Sequence, residues 1–233
     1  MFSMAESTTN KSPITIAIVD NDLITLKTLQ SLINQTTNIH VTWISQSGRS
    51  ALTQCLEDDN SPDVLLLDMG LSDIPGTQVC RRIRRNSSEP KILAITSYPI
   101  ELYAADIADS GAQGIIEKND YLNLYYAIRQ IKENNIISPV SFRNYFETSK
   151  TAHQRLEMTP KDGFESLTYT EIQVLNMLSG GIDPKNIAKQ LSITPTTVRT
   201  HMMHIRFKLK SFTTAQALVK WTREYNGGLV CMK

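Results

Sequence analysis

The chain has 233 residues, 41% of them hydrophobic and 20% charged, and its formal net charge is +1 at pH 7. That balance is ordinary for a globular protein, and no apolar run nears the roughly 20 residues a membrane-spanning helix needs. The opening stretch MFSMAESTTNKSP is polar and has no apolar signal core. A disordered tail over residues 1–13 and a cytoplasmic location without membrane association are therefore expected. Cys55, Cys80 and Cys231 are odd in number, widely scattered and lack metal-ligand spacing, as befits free thiols in a reducing compartment.

Five apolar runs punctuate the first part of the chain: ITIAIV (14–19), HVTWI (40–44), VLLLD (64–68), KILAIT (91–96) and GIIE (114–117). Helix-period segments separate them. The clearest places Tyr121, Leu124, Tyr125, Ile128 and Ile131 on one face. Alternation of this kind predicts an α/β doubly wound parallel sheet of five strands, covered on both sides. Ligands of such sheets bind at the carboxyl ends of the strands.

Polar groups collect at those ends. Asp20, Asn21 and Asp22 close the first run, Asp68 the third, Thr96 and Ser97 the fourth, and the fifth leads to Lys118. Crowded acids after a strand are either surface decoration or part of a site for a hard cation such as Mg²⁺, which prefers oxygen ligands. A lysine and a hydroxyl beside them suit the oxygens of a phosphoryl group, and a carboxylate can accept phosphate as a nucleophile.

The stretches IVDND, PDVLLLDMG, AITS and GAQGIIEKND, with the spacing between them, resemble the receiver domain of bacterial response regulators from about Ile14 to Glu133. The resemblance implies a flavodoxin-like domain over residues 14–136. It further implies that Asp68 takes phosphate from a sensor histidine kinase. Asp20, Asn21, Asp22, Asp68 and Gly70 would hold Mg²⁺, while Thr96 and Lys118 contact the phosphoryl group. Three positions depart from the family pattern. Asn21 replaces an acid, so Mg²⁺ binding is expected to be weak unless Asp22 compensates; Ser72 replaces a common proline; Ile115 replaces a common aromatic.

Charge divides the chain. Residues 1–136 carry 11 Lys and Arg against 16 Asp and Glu, whereas residues 137–233 carry 13 against 7. An acidic first part and a basic second part point to different partners, with nucleic acid the natural one for the basic part. Residues 137–165 mix polar, Pro and Gly residues with little periodicity, as in an interdomain linker with a short helical piece near Phe142 to Phe146. Three helix starts follow: the capping box TYTE at 168–171, Asp183-Pro184 after a glycine pair, and Thr194-Pro195. In the helix after Thr194, Val198, Met202, Ile205 and Leu209 form an apolar back. Thr196, Thr200 and Met203 form the front, with Arg199, Arg206 and Lys210 on one flank and His204 and Lys208 on the other. Such a helix suits a DNA major groove.

The stretch LTYTEIQVLNMLSGGIDPKNIAKQLSITPTTVRTHMMHIRFKLK resembles the LuxR-type helix-turn-helix of NarL/FixJ response regulators. That resemblance implies an all-α DNA-binding domain over 166–233 in which Arg199, Thr200 and Met203 face bases. Thr194, Thr196, Thr197, Lys208 and Lys185 complete the DNA-binding set. The last helix, TTAQALVKWTREY, resembles a dimerisation segment. Promoter DNA, a histidine kinase, a second copy of the chain and RNA polymerase are the partners expected. The run CRRIRR (80–85) is read as a solvated helix face, and Trp43 and Trp221 as packing residues. Two rivals stay open: a receiver-like domain that works without phosphate through dimerisation, a partner or a ligand, and an aspartyl-phosphate phosphatase. The second would want an acid where Gly70 stands.

Overall fold

The computed structural model describes residues 12–56, 60–161 and 163–225. Cys231 and nearly all of the expected N-terminal tail lie outside the described residues. The strands are β1 (Ile14–Val19), β2 (Ile39–Ser45), β3 (Val64–Asp68), β4 (Lys91–Thr96) and β5 (Gly114–Glu117). They pair in the order β2-β1-β3-β4-β5, every pairing parallel. Helices α1 (Leu23–Ile33), α2 (Gly48–Leu56), α3 (Gly76–Asn86), α4 (Ala104–Asp109) and α5 (Tyr121–Lys132) alternate with them.

Side chains that alternate along each strand feed two separate cores. On one face Ile16, Ile18, Leu66, Leu93 and Ile95 meet Leu26, Leu29, Leu124 and Ile128 of α1 and α5. On the other Ala17, Val19, Leu65, Leu67 and Ile92 meet Ala51, Val79, Ile83 and Ile107 of α2, α3 and α4. Burial on both faces is why the strand sequences are continuous apolar runs rather than alternating ones.

The segment from 137 to 165 is more ordered than its composition predicts. After a short 3-10 helix (Val140–Tyr145) comes α6 (Ser149–Met158), capped by Thr148 and buried along Ser149, Ala152 and Leu156. Only one large apolar residue anchors that face, so helical periodicity is faint in the sequence. Packing against α3 makes the helix, as His153 Nδ1 shows by meeting the Arg84 carbonyl oxygen at 2.8 Å. The solvated-face reading of CRRIRR is corrected by the same contact. Arg84 is fully buried, its guanidinium donating to the carbonyls of Gly111, Ser87 and Pro90 and to Gln113. Arg85 grips Glu165 with two hydrogen bonds, 2.9 and 2.8 Å.

The second domain comprises α7 (Tyr169–Ser179), α8 (Pro184–Gln190), α9 (Pro195–Lys208) and α10 (Thr214–Tyr225). All three expected starts are present: the Thr168/Glu171 capping box, and Asp183 and Thr194 each capping a helix that opens on proline. Trp221 is 1% exposed and donates Nε1–H to Asn176 Oδ1 at 2.9 Å, a packing role like that of buried Trp43. Asn176 also reaches the first domain, donating Nδ2–H to the carbonyls of Ser72 (3.3 Å) and Asp73 (3.2 Å). Arg82 donates to the Leu167 carbonyl, and Arg49 stacks over the Tyr169 ring at 4.1 Å. No helix among the described residues is long and apolar enough to cross a membrane.

Candidate functional site

Strand order reverses between β1 and β3, so Asp20 and Asp68 stand on neighbouring strands at the carboxyl edge, where doubly wound sheets bind ligands. Lys118, which follows β5, extends Nζ to 2.7 Å from Asp20 Oδ2 and 3.0 Å from Asp68 Oδ2. Its backbone N–H donates to the Thr96 carbonyl at 2.8 Å, which seats the lysine beside Thr96. Thr96 is buried, and its hydroxyl oxygen accepts from Tyr98 N at 3.1 Å. Asp68 Oδ1 accepts from Gly70 N at 3.0 Å, and Asp20 Oδ1 from Asp22 N at 2.9 Å.

The electrostatics follow from that geometry. Burial pushes the Asp68 carboxyl above its ordinary range, although the Gly70 N–H and the Lys118 charge pull the other way. Burial also opposes the charge on Lys118, but hydrogen bonding to Asp20 and the charge of Asp68 outweigh it and raise its pKa. The result is a fixed cation between two buried carboxylates at the ends of neighbouring strands. The Lys118 ammonium is a charged donor that suits an oxygen-bearing anion at this edge of the sheet.

Asp22 does something other than expected. Its carboxylate caps α1, accepting from Ile24 N (3.1 Å), Thr25 N (3.2 Å) and Thr25 Oγ1 (2.7 Å). The Thr25 hydroxyl and the backbone amides hold it below the usual carboxylate range. It is thus turned to the helix and does not make up for the charge missing at exposed Asn21. A local signal for this was present, since aspartate directly before an apolar-periodic segment is a strong N-cap. No cluster of three or more His, Cys, Asp or Glu side chains with metal-holding geometry occurs among the described residues. Of the five residues expected around a cation, Asp20 and Asp68 are brought together, Gly70 hydrogen-bonds to Asp68, and Asn21 lies alongside.

Sequence reasoning gave Gly76 and Asp73 too little weight. A Cβ on Gly76 would stand 2.3 Å from the Asp68 carbonyl oxygen and 2.6 Å from the Met69 Cα, so only glycine lets α3 start against the strand that carries Asp68. Asp73 accepts from Ser47 Oγ (2.9 Å), Gly48 N (2.9 Å) and Arg49 N (3.0 Å), which ties the loop after Asp68 to the start of α2.

In the second domain, Val198, Met202 and Ile205 bury the back of α9, while Thr196, Arg199, Thr200, Met203 and His204 are exposed on its front and flanks. Lys185 is exposed at the start of α8. Thr194 and Thr197 share the α9 cap, with Thr197 N donating to Thr194 Oγ1 at 3.1 Å. Lys208, expected in the DNA-binding set, places Nζ 2.7 Å from the capping carboxylate of Glu171.

Comparison with known proteins agrees with both halves. Residues 16–129 match the response regulator receiver domain, and residues 165–220 match the bacterial regulatory proteins of the luxR family. A nitrate/nitrite response regulator protein homolog of Haemophilus influenzae is 26% identical over 206 residues, covering 88% of this chain and 94% of that protein. The nitrate/nitrite response regulator NarL of Escherichia coli K12 is 24% identical, covering 92% and 97%. RcsB from Salmonella enterica serovar Typhimurium, in a structure bound to promoter P1flhDC with phosphomimetic BeF3-, superposes with a TM-score of 0.51. That structure is 18% identical and covers 91% of this chain and 99% of its own, a likeness of fold. With a receiver sheet, a LuxR-type helix-turn-helix and relatives of that same two-domain build, the chain belongs to the NarL/FixJ-type response regulators, two-component regulators of transcription.

Proposed function

We propose that Asp68 is the phosphoacceptor, taking its phosphoryl group from a sensor histidine kinase, and that the modified receiver controls promoter binding by α9. The observation that carries this reading is Lys118, whose ammonium bridges Asp20 and Asp68 at 2.7 and 3.0 Å. An Asp68 oxygen attacks phosphorus, the P–N bond to the donor imidazole breaks, and the imidazole leaves as its nitrogen takes up a proton. Lys118 would neutralise a phosphoryl oxygen, and the Thr96 hydroxyl would donate to another. Gly70 N orients the carboxylate for attack.

Receivers of this family use Mg²⁺ in phosphorylation, and the donor set here suits that ion. Two carboxylates, Asp20 and Asp68, with the Asn21 carboxamide and Gly70 nearby, make a hard oxygen site of the kind Mg²⁺ completes with water and phosphate oxygens. Bound there, it would offset charge on the incoming group. The neutral Asn21 and the engagement of Asp22 with the start of α1 make that site weak.

For DNA, we assign base contacts to Arg199, Thr200 and Met203, backbone contacts to Thr196, Thr197 and Lys185, and the helix cap to Thr194. Lys208 supports Glu171 and reaches phosphate only by leaving it. The chain acts in the cytoplasm as a homodimer through α10, with RNA polymerase a further partner at the promoter. It turns over no metabolite; self-phosphorylation from small donors and self-dephosphorylation are its only chemistry.

Intact mass after incubation with Mg²⁺ and acetyl phosphate tests the reading. A labile phosphoryl adduct on the parent chain, absent from Asp68→Asn, is expected. An adduct that persists in that variant, or none at any Mg²⁺ concentration, refutes it.

A further inference from the structure

Thr196, Thr200, Met203 and Phe207 follow one another at spacings of four, three and four residues on α9, which places them in one row opposite buried Val198, Met202, Ile205 and Leu209. The row ends in large apolar groups: Met203 is 59% exposed and Phe207 85%. They project to solvent with the two domains docked. Thr200 adds no free donor to the row, because its hydroxyl donates to the Thr196 carbonyl at 3.2 Å. We infer that Met203 and Phe207 form an apolar reading edge for thymine methyl groups in the operator, Phe207 being a specificity residue that the helix-turn-helix reading alone does not assign.

The inference rests on the DNA-binding reading above and deepens it. Charge decides the occupant. Helix α9 contains Arg199, Arg206 and Lys208 and no acidic residue, with Lys210 just beyond, so the apolar row is bordered by cations, as a polyanion requires. In the major groove the apolar feature of the base edges is the C5-methyl of thymine, while guanine and adenine offer polar atoms that a thioether or phenyl ring cannot satisfy. Four helical residues span about 6 Å along the axis, close to two base-pair steps. The two side chains therefore meet thymines about two steps apart.

Full-length protein is used to enrich a duplex from a random-sequence pool, and the winning duplex is remade with deoxyuridine at each thymine in turn. Uracil removes only the methyl. Loss of about four-fold in affinity per methyl is expected at two nearby positions. That penalty should vanish at one position in Met203→Ala and at the other in Phe207→Ala. It should persist in Phe212→Ala, an equally exposed phenylalanine beyond the end of α9 (86% exposed). A selected duplex bound with no uracil penalty, or with penalties that survive in both variants, overturns the inference and leaves DNA binding standing. So does a Phe207→Ala effect confined to self-association in the absence of DNA. No enriched sequence at all overturns the DNA-binding reading together with it.

Discussion

Lys118 holds two buried carboxylates apart, and replacing it with methionine tests how much of the receiver's stability depends on that charge. At 2.7 and 3.0 Å each contact is worth about 6 kcal/mol of attraction at an effective dielectric of 20, before burial and carboxylate repulsion are subtracted. Breaking a buried pair by removing one partner leaves a net loss of about 3–5 kcal/mol. With a urea slope of about 2 kcal/mol per molar, the unfolding midpoint of Lys118→Met should fall by about 2 M at pH 7.5. The loss should also shrink in acid. Without the ammonium, burial and the neighbouring carboxylate raise Asp68 with less opposition, so it binds a proton more tightly folded than unfolded. The folded state then holds more protons, and stability rises as pH falls through that raised value toward the unfolded one. Parent Lys118, raised above its ordinary value, stays protonated folded and unfolded across this range and adds no slope. The raised Asp68 of the parent adds a smaller slope than the variant's, because Lys118 opposes its rise. Urea titrations followed by circular dichroism at pH 7.5 and 5.5 give the comparison. A midpoint shift under about 0.3 M, or a loss equal at both pH values, would refute the view that Lys118 is the counterion of this pair.

Three further outcomes follow from the structure. Gly76→Ala forces a Cβ against two backbone atoms, so a loss of about 1–3 kcal/mol in denaturant unfolding and slower phosphoryl uptake at Asp68 are expected; parent-like values in both would contradict the steric argument. Arg85→Ala deletes a two-pronged bond to a Glu165 side chain only 3% exposed, and limited proteolysis should cut between α6 and α7 at least several-fold faster than in the parent. Glu171→Gln removes the carboxylate of the α7 capping box and the partner of Lys208, at a cost of about 1–2 kcal/mol at pH 7. Burial works against the Glu171 charge, but Lys208 and Thr168 hold its pKa below 4.5, so its contribution is full above 4.5 and fades as pH falls through the lowered value. Melting curves of parent and variant should therefore converge in acid; a constant gap would assign the effect to packing.

Much of this was legible because it is local. Strand runs are read from continuous apolar stretches, and the three caps of the second domain from residues within four of each helix start. The strand-end cluster was legible too, because strand order brings Asp20 beside Asp68 in any sheet of this winding. What escaped is carried by partners far along the chain. Arg84 and Arg85 look solvated in a basic run, yet Gly111, Gln113 and Glu165, 27 to 80 residues away, accept from their guanidinium groups. Helix α6 has too few apolar residues to announce itself and exists by leaning on α3. Asp22 illustrates another difficulty: one aspartate satisfied two patterns, cation ligand and helix cap, and geometry had to choose between them.

Asn176 joins the carbonyls of Ser72 and Asp73, four and five residues past Asp68, to Trp221 at the heart of the second domain. Such a bridge cannot carry influence in one direction only. Whatever factor a phosphoryl-like anion at Asp68 applies to the chain's affinity for DNA, occupancy of α9 by DNA must apply to its affinity for that anion. Under the proposed function a promoter would then be an effector of the receiver as well as its target, and the same signal would leave DNA-bound and free copies charged to different extents.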